Sequence, residues 1–226
     1  MRQCKKIPIL AVTKKFLKMI KDIVFDFGGV LIEIDTANAL KKFNSLGLKN
    51  PERYLNSYKQ EGLFYALENG DINADEFVRE LSKLCNRELT YNDAFEGWMG
   101  FVVKVQNEYL QWLQSLRPHY RLSILSNTNP FLQGWARSRS FTAEGKSLDD
   151  LFDQLFLSYL MRCSKPNDKI YLKMLRDGNM RPEETLFVDD GAKNIEAARN
   201  LGINVLQVKN GEDWRPALTK FLEEHK

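Results

Sequence analysis

Short apolar runs separated by amphipathic segments form the hydrophobic pattern of the chain from residue 19 onward. The first run, Ile23–Phe25, is apolar at consecutive positions, which is typical of a parallel strand buried on both faces. Later runs repeat this pattern, and segments with helical spacing separate them, so we predict an α/β fold with a doubly wound, Rossmann-like parallel sheet. The later predicted strands are Arg121–Leu125, Leu155–Leu160, Thr185–Val188 and Ile203–Val208.

A long helical segment interrupts this alternation after the first strand. Its apolar residues recur at helical spacing, and Asn73 followed three residues later by Glu76 is typical of a helix N-terminus. We therefore predict that residues 36–104 form an all-helical cap, inserted into a core domain made of residues 21–35 and 105–226. Within this cap the following residues are interpreted as core rather than as substrate contacts: Phe64, Tyr65, Glu68 and Trp98.

Residues 1–20 are predicted to be an N-terminal extension. The apolar run Ile7–Val12 follows basic residues, as in a secretory signal, but it is short, contains Pro8 and lacks a small-residue cleavage site. Met19 directly precedes the first strand and is an alternative start of translation. We expect the segment before it to be a tail or a loosely docked helix.

Composition and charge narrow the class of partner. The 33 Lys and Arg residues nearly balance 30 Asp and Glu, without a strongly basic stripe, which argues against nucleic acid. No segment has the length and apolar character of a membrane span, and three widely spaced cysteines suit reduced thiols in the cytoplasm. We therefore expect a cytoplasmic monomer or homodimer that binds a small molecule and neither nucleic acid nor a membrane.

Polar clusters follow three of the predicted strands. Asp26 follows the first strand, Ser126 and Asn127 follow the second, and Asp189 and Asp190 follow the fourth. The carboxyl ends of parallel strands meet at one edge of a sheet, where ligands bind in folds of this class, so these clusters can converge. Each residue alone also has a plain structural explanation, such as a capping or turn residue. Their common position at strand ends favours a binding site.

Three converging carboxylates predict a divalent cation. Asp26, Asp189 and Asp190 would repel one another unless a cation lay among them, and ligands that are all oxygen favour Mg²⁺. Anionic Asp26 could then attack phosphorus and form an aspartyl-phosphate that water hydrolyses. Lys165 offers a compact positive charge to a phosphate oxygen, and Ser126 with the amides after it can donate to the others.

These motifs, in this order, resemble those of the haloacid dehalogenase (HAD) superfamily of phosphatases. The resemblance covers nearly the whole chain from residue 19 onward. Within the superfamily, the chain is most similar to the bacterial α-D-glucose-1-phosphate phosphatase group. That group also has glycine at position 28 and a Ser-Asn-Thr-Asn second motif. The matching segments are Asp26-Phe27-Gly28-Gly29-Val30-Leu31, Leu125-Ser126-Asn127-Thr128-Asn129, Lys165-Pro166 and Val188-Asp189-Asp190 with Asn194.

The resemblance implies a role for each residue of the motifs. Asp26 would be nucleophile and metal ligand, and the Gly28 carbonyl and the Asp190 carboxylate would also bind Mg²⁺. The implied substrate is a small phosphorylated metabolite, a sugar phosphate similar to glucose 1-phosphate. The remaining implied roles are catalysis for Lys165, substrate binding for Ser126, Asn127 and Lys165, and support of the metal ligands for Asp189 and Asn194.

Gly28 departs from the wider superfamily, most phosphatases of which carry an aspartate there as general acid and base. Glycine cannot transfer a proton, and the loss of such a group lowers rates about a hundredfold to ten-thousandfold. We therefore expect a sugar-phosphate phosphatase of modest rate. A catalytically weak regulator that binds a sugar phosphate is one alternative, and a dehalogenase acting on carbon is another, against which Gly28 and the acidic pair argue.

Overall fold

The structure is a computed structural model that describes residues 19–55 and 60–225. The predicted N-terminal extension therefore lies outside the described residues, apart from its last two. Among the described helices, none combines the length and the apolar character needed to cross a membrane. The strands are β1 (Asp22–Phe25), β2 (Ile32–Ile34), β3 (Val102–Val105), β4 (Arg121–Ser126), β5 (Gln154–Leu157), β6 (Thr185–Asp189) and β7 (Asn204–Gln207).

A five-stranded parallel sheet forms the centre of the core domain. Its strand order is β5-β4-β1-β6-β7, so the first strand of the chain lies in the middle, and all four pairings are parallel. All residues of β1 are buried. This is the environment that its continuous apolar run predicts, and the predicted α/β parallel fold is confirmed.

Helices cover both faces of this sheet. Ile23 and Phe25 join one apolar cluster, and Val24 between them joins another, because successive side chains of a strand point to opposite faces. The helices are α1 (Thr36–Ser45), α2 (Gly62–Glu68), α3 (Ala74–Cys85), α4 (Tyr91–Met99), α5 (Asn107–Gln114), α6 (Pro130–Ala136), α7 (Leu148–Leu151), α8 (Ser158–Met161), α9 (Asp168–Asp177), α10 (Ala192–Asn200) and α11 (Arg215–Glu224), with 3₁₀ turns at Pro51–Arg53 and Pro182–Glu184.

Helices α1 to α4, in the segment predicted to be the cap, pack around an aromatic core of their own. The Phe64 ring lies at its centre, with centroid distances of 4.9 Å to Phe43, 5.1 Å to Phe77 and 5.4 Å to Trp98. The pairs with Phe43 and Phe77 are edge-on, and such packing adds about 0.5–1.5 kcal/mol per ring pair beyond the burial of apolar area. Phe131 of α6 packs against Phe77, so the core domain extends the apolar cluster of the cap.

The prediction that the cap is helical up to residue 104 is wrong. Residues 102–104 belong to β3, which pairs antiparallel with β2 through Ile32 opposite Val105 and Glu33 opposite Lys104. The β-branched residues Val102, Val103 and Val105 favour a strand, and β2 provides the partner. This two-stranded ribbon is the connection between the cap and the core.

Candidate active site

The predicted convergence of polar residues occurs at the carboxyl ends of β1, β4 and β6, which are neighbours in the sheet. Asp26 directly follows β1, and its N–H donates to the carbonyl of Val188 at 2.8 Å. Ser126 is the last residue of β4 and Asp189 the last of β6. One carboxylate oxygen each from Asp26, Asp189 and Asp190 all lie within 4.8 Å of one another.

A tight turn after Asp26 brings the backbone close to these acids. Gly29 has a φ of +76°, and a Cβ at this position would lie 2.3 Å from Oδ2 of Asp190. Gly29 donates to the Ile32 carbonyl at 2.8 Å, and Ile32 donates to the carbonyl of Phe27 at 3.1 Å. Neither of these bonds uses the Gly28 carbonyl, which is the backbone ligand that the resemblance implies.

Lys165 links two of the carboxylates. Its side chain is 1% exposed, and Nζ lies 2.9 Å from Oδ1 of Asp26 and 2.6 Å from Oδ2 of Asp189. Burial by itself would lower the pKa of Lys165, but the negative charges of Asp189 and Asp26 raise it above its ordinary value. The ammonium group is therefore a permanent positive charge beside Asp26.

The side chain of Asn127 positions Lys165. Its Nδ2 donates to the carbonyl of Lys165 at 2.9 Å, and its Oδ1 accepts from the N–H of Lys165 at 2.8 Å. Both polar atoms of the Asn127 side chain therefore already have partners, so the substrate binding that the resemblance implies for Asn127 would use its backbone amide. The Ser126 hydroxyl is buried next to it and makes a long contact of 3.3 Å with the Asn127 carbonyl.

Asp189 is held by donors on both of its oxygens. Besides Lys165, it accepts from the N–H of Gly191 at 2.7 Å and from Nδ2 of Asn194 at 3.0 and 3.2 Å. A fully buried carboxylate needs such partners. This environment suits the supporting role that the resemblance implies for Asp189 and Asn194, and it leaves Asp26 and Asp190 as the carboxylates able to bind an ion.

The negative charges of the clustered carboxylates favour the binding of a cation. Burial raises the pKa of Asp26 to about 8; Lys165 opposes this rise, whereas Asp189 and Asp190 add to it. Burial, together with the charge of Asp189, raises the pKa of Asp190 to about 6. Opposite ligands of an ion bound at 2.0–2.1 Å are about 4.2 Å apart, which is only slightly less than the 4.8 Å within which these oxygens lie. Hard oxygen donors in such an arrangement fit Mg²⁺.

The sequence pattern does not indicate two features at the contact between the cap and the core domain. Ser158 of α8, which no motif indicates, lies 2.6 Å from the Glu68 carbonyl and accepts from the N–H of Thr128 at 3.0 Å. Phe64 and Trp98 are buried as predicted, whereas Tyr65 is 39% exposed. Glu68 is also buried, but beside the core residue Asn129 rather than within the apolar interior of the cap.

Comparison with known proteins agrees with this geometry. Residues 20–202 match the family model of the haloacid dehalogenase-like hydrolases. The chain is 46% identical over 204 residues to a D-ribitol-5-phosphate phosphatase from Bacteroides thetaiotaomicron, an alignment that covers 90% of this chain and 99% of the relative.

Solved structures show the same fold. A protein described as a predicted HAD-like family hydrolase from Porphyromonas gingivalis superposes with a TM-score of 0.87 at 42% identity, covering 90% of this chain and 98% of that one. A HAD family enzyme of Bacteroides thetaiotaomicron, in complex with magnesium and inorganic phosphate, gives 0.80 at 31% identity, covering 88% and 98%. Given its four motifs, its fold and these matches, the chain belongs to the haloacid dehalogenase-like hydrolases.

Proposed function

We propose that this protein is a Mg²⁺-dependent phosphatase that hydrolyses a small phosphorylated sugar or sugar alcohol through an aspartyl-phosphate on Asp26. The observation that carries the proposal is the cluster of Asp26, Asp189 and Asp190, whose oxygens lie within 4.8 Å of one another at the end of the sheet. The magnesium and phosphate complex of the related Bacteroides enzyme supports the same chemistry.

Each residue of the site has a distinct part in this reaction. The Asp26 carboxylate attacks phosphorus and forms the covalent intermediate. Asp26, Asp190 and the Gly28 carbonyl would hold Mg²⁺, which when bound supplies positive charge to the phosphate oxygens. The Lys165 ammonium, 2.9 Å from Asp26, binds a further phosphate oxygen, and Ser126 with the Asn127 amide donates to the others.

The relatives favour a phosphorylated sugar alcohol as substrate. A relative that is 46% identical over almost its full length is a D-ribitol-5-phosphate phosphatase, so we place a pentitol 5-phosphate first among the candidates. The sequence motifs favour glucose 1-phosphate instead, and this assignment stays a prediction. A cytoplasmic location, a monomeric or homodimeric state and the absence of nucleic-acid and membrane partners also stay predictions.

A panel of phosphate esters tests the proposal. Purified protein with Mg²⁺ is incubated with ribitol 5-phosphate, glucose 1-phosphate and glyceraldehyde 3-phosphate, and released inorganic phosphate is measured. We expect turnover of at least one ester by the wild type and a loss of about ten-thousandfold or more in Asp26→Asn, because the amide is not a nucleophile. The exposed carboxylate change Asp75→Asn is the matched control and should keep full activity.

The same experiment separates the alternatives. Binding of a sugar phosphate without turnover that depends on Asp26 would favour the regulator. Halide release from a 2-haloacid without Mg²⁺, together with no phosphate release from any ester, would favour the dehalogenase.

A further inference from the structure

The proposed reaction needs a proton donor that position 28 does not supply. When the ester bond of an alkyl phosphate breaks, the departing alkoxide must gain a proton, and a positioned acid accelerates this step about a hundredfold to ten-thousandfold. Gly28 has no side chain, the carboxylates of Asp26 and Asp190 are assigned to the nucleophile and to the metal, and both oxygens of Asp189 already accept hydrogen bonds.

Glu68 is the carboxyl group that the cap brings to this site. It is the last residue of α2 and is 8% exposed, and the negative charge of Asp26 is near enough to act on it. The hydroxyl of Ser158, 2.6 Å from the Glu68 carbonyl, attaches this end of the helix to the core. Gly70, two residues further on, packs so tightly on the backbone of Tyr159 that a Cβ would lie 2.0 Å from its carbonyl oxygen.

The neighbouring side chain of Asn129 directs its donor towards Glu68. Its Oδ1 caps α6 by accepting from Phe131 at 3.1 Å and Leu132 at 3.2 Å, and this fixes which end of the amide faces the helix. Its Nδ2 is completely buried and makes no hydrogen bond of normal geometry with any residue that the structure describes, but it lies near enough to the Glu68 carboxyl group to lower its pKa. A buried donor without well-formed geometry is rare, and this one can turn from Glu68 to a ligand oxygen bound beside it.

The protonation state of Glu68 suits an acid. Burial raises its pKa to about 8, a rise that the Asn129 amide opposes and the charge of Asp26 supports. The carboxyl group is therefore protonated near neutral pH in the free protein and can donate a hydrogen bond.

We propose that Glu68 is the general acid and base of this phosphatase, supplied by the cap in place of the missing carboxylate at position 28, with Asn129 binding the oxygen that leaves. This proposal rests on the proposed function and concerns the same site. It assigns a catalytic role to a residue that the sequence pattern places in the core of the cap.

The two steps balance as follows. An Asp26 oxygen bonds to phosphorus while the bond from phosphorus to the ester oxygen breaks, and the proton of the Glu68 carboxyl group moves to that oxygen to give the free alcohol. Water then attacks the phosphorus of the aspartyl-phosphate and gives a proton to the Glu68 carboxylate. The bond between phosphorus and Asp26 breaks, and inorganic phosphate leaves with both carboxyl groups restored.

The test compares two leaving groups in one variant, Glu68→Gln, which keeps the shape of the side chain and removes its exchangeable acid proton. In rapid-mixing experiments that follow the first turnover, we expect alcohol release from ribitol 5-phosphate, or from the best alkyl ester of the panel, to slow about a hundredfold or more. With 4-nitrophenyl phosphate, whose leaving group departs as a stabilised anion, we expect release in the first turnover to slow less than about tenfold, because that anion needs no proton. The later hydrolysis of the aspartyl-phosphate uses Glu68 as base and should slow equally for both esters. Glu88→Gln, an exposed change in the same cap, should leave both rates unchanged.

The outcomes separate this inference from the proposed function. Equal losses in the first-turnover rates of the two esters would overturn it, since that result indicates a structural role for Glu68. A first-turnover loss below threefold with the alkyl ester while Asp26→Asn is inactive would also overturn it. If the wild type released no phosphate from either ester, the proposed function would fail and this inference with it. Matching melting temperatures of the variant and the wild type would exclude unfolding as the cause of any loss.

Discussion

At the scale of single residues, the active site is a small volume in which buried charges are held by other buried groups. Lys165 lies between Asp26 and Asp189, and Asn127 holds the backbone of Lys165 from both sides. Removing one member of such a group leaves an uncompensated charge, which typically destabilises a protein by about 3–5 kcal/mol. The geometry of the site and the stability of the core domain therefore depend on the same few residues.

Gly28 and Gly29 differ in whether the structure has room for a side chain at their position. At Gly29 a methyl group would meet Asp190 at 2.3 Å and a φ of +76° disfavours other residues, whereas at Gly28 it would meet only the Ile34 side chain at 3.6 Å. We expect Gly29→Ala to weaken Mg²⁺ binding about tenfold to a hundredfold because it displaces Asp190. Gly28→Ala should bind within about threefold of the wild type. Calorimetric titration with Mg²⁺ measures both, and equal losses would contradict the role given to Asp190.

At the scale of secondary-structure elements, the position of the cap depends on α2 and α8 as much as on the β2–β3 ribbon. The ribbon connects the cap to the core, but Ser158 joins the end of α2 to the loop after β4 through the Glu68 carbonyl and the Thr128 amide. A single hydroxyl thus links the cap, the second motif and a short helix. In this arrangement the Glu68 side chain is buried beside Asn129, near enough to Asp26 for that charge to act on it.

Ser158→Ala tests this link. It leaves two buried backbone groups without a partner, so we expect the free energy of unfolding to fall by about 1–3 kcal/mol. We also expect faster amide hydrogen exchange in α2 than in the wild type, because that helix loses an attachment to the core. Hydrogen exchange followed by mass spectrometry measures this change. Ser115→Ala, in which an exposed hydroxyl at the end of α5 is removed, is the control; unchanged exchange in α2 of Ser158→Ala would contradict the link.

At the scale of the whole molecule, the acidic cluster couples stability to pH and to Mg²⁺. In the metal-free protein the pKa of Asp190 rises from 3.8 to about 6 on folding, and that of Asp26 rises from 3.8 to about 8. The folded chain therefore binds these protons more tightly than the unfolded chain does. The stability that this provides is complete below about pH 4 and is lost as the pH rises through the two folded-state values.

Magnesium binding should reverse that trend, because the ion binds the deprotonated carboxylates and must displace their protons at low pH. We expect a saturating Mg²⁺ concentration to raise the melting temperature more at about pH 7.5 than at about pH 5.5. Thermal unfolding with and without Mg²⁺ at the two pH values measures the difference. Asp190→Asn should remove most of the effect at both, and an equal increase at the two pH values in the wild type would contradict the assigned ligands.

Much of the fold and of the acidic site could be predicted from the sequence because the relevant signals are local. Ile23 to Phe25 is apolar at every position, which identifies a buried strand, and Asp26 and Asp189 come directly at strand ends. The parallel sheet then brings strand ends together whatever the details of packing. The prediction failed at residues 102–104, because Val102 also fits the apolar stripe of the preceding helix, whereas the structure pairs it with Ile34 of β2.

The role of Glu68 depends on contacts between residues that are far apart in the chain. Its spacing within α2 fits the apolar side of the helix, and the sequence therefore predicts a core position. Only the tertiary structure places it beside Asn129, which follows β4, and within reach of the charge of Asp26. The commitment of Asn127 to Lys165 is likewise a contact between residues 38 positions apart.

The sequence by itself determined the elements, the parallel sheet and the acids at its edge, because strand periodicity and motif order are properties of neighbouring residues. The tertiary structure decided which polar atoms are already paired and which cap residue is buried within reach of the charge of Asp26. Those outcomes depend on the packing of distant segments, and burial by that packing is also what raises the pKa values of Asp26, Glu68 and Asp190.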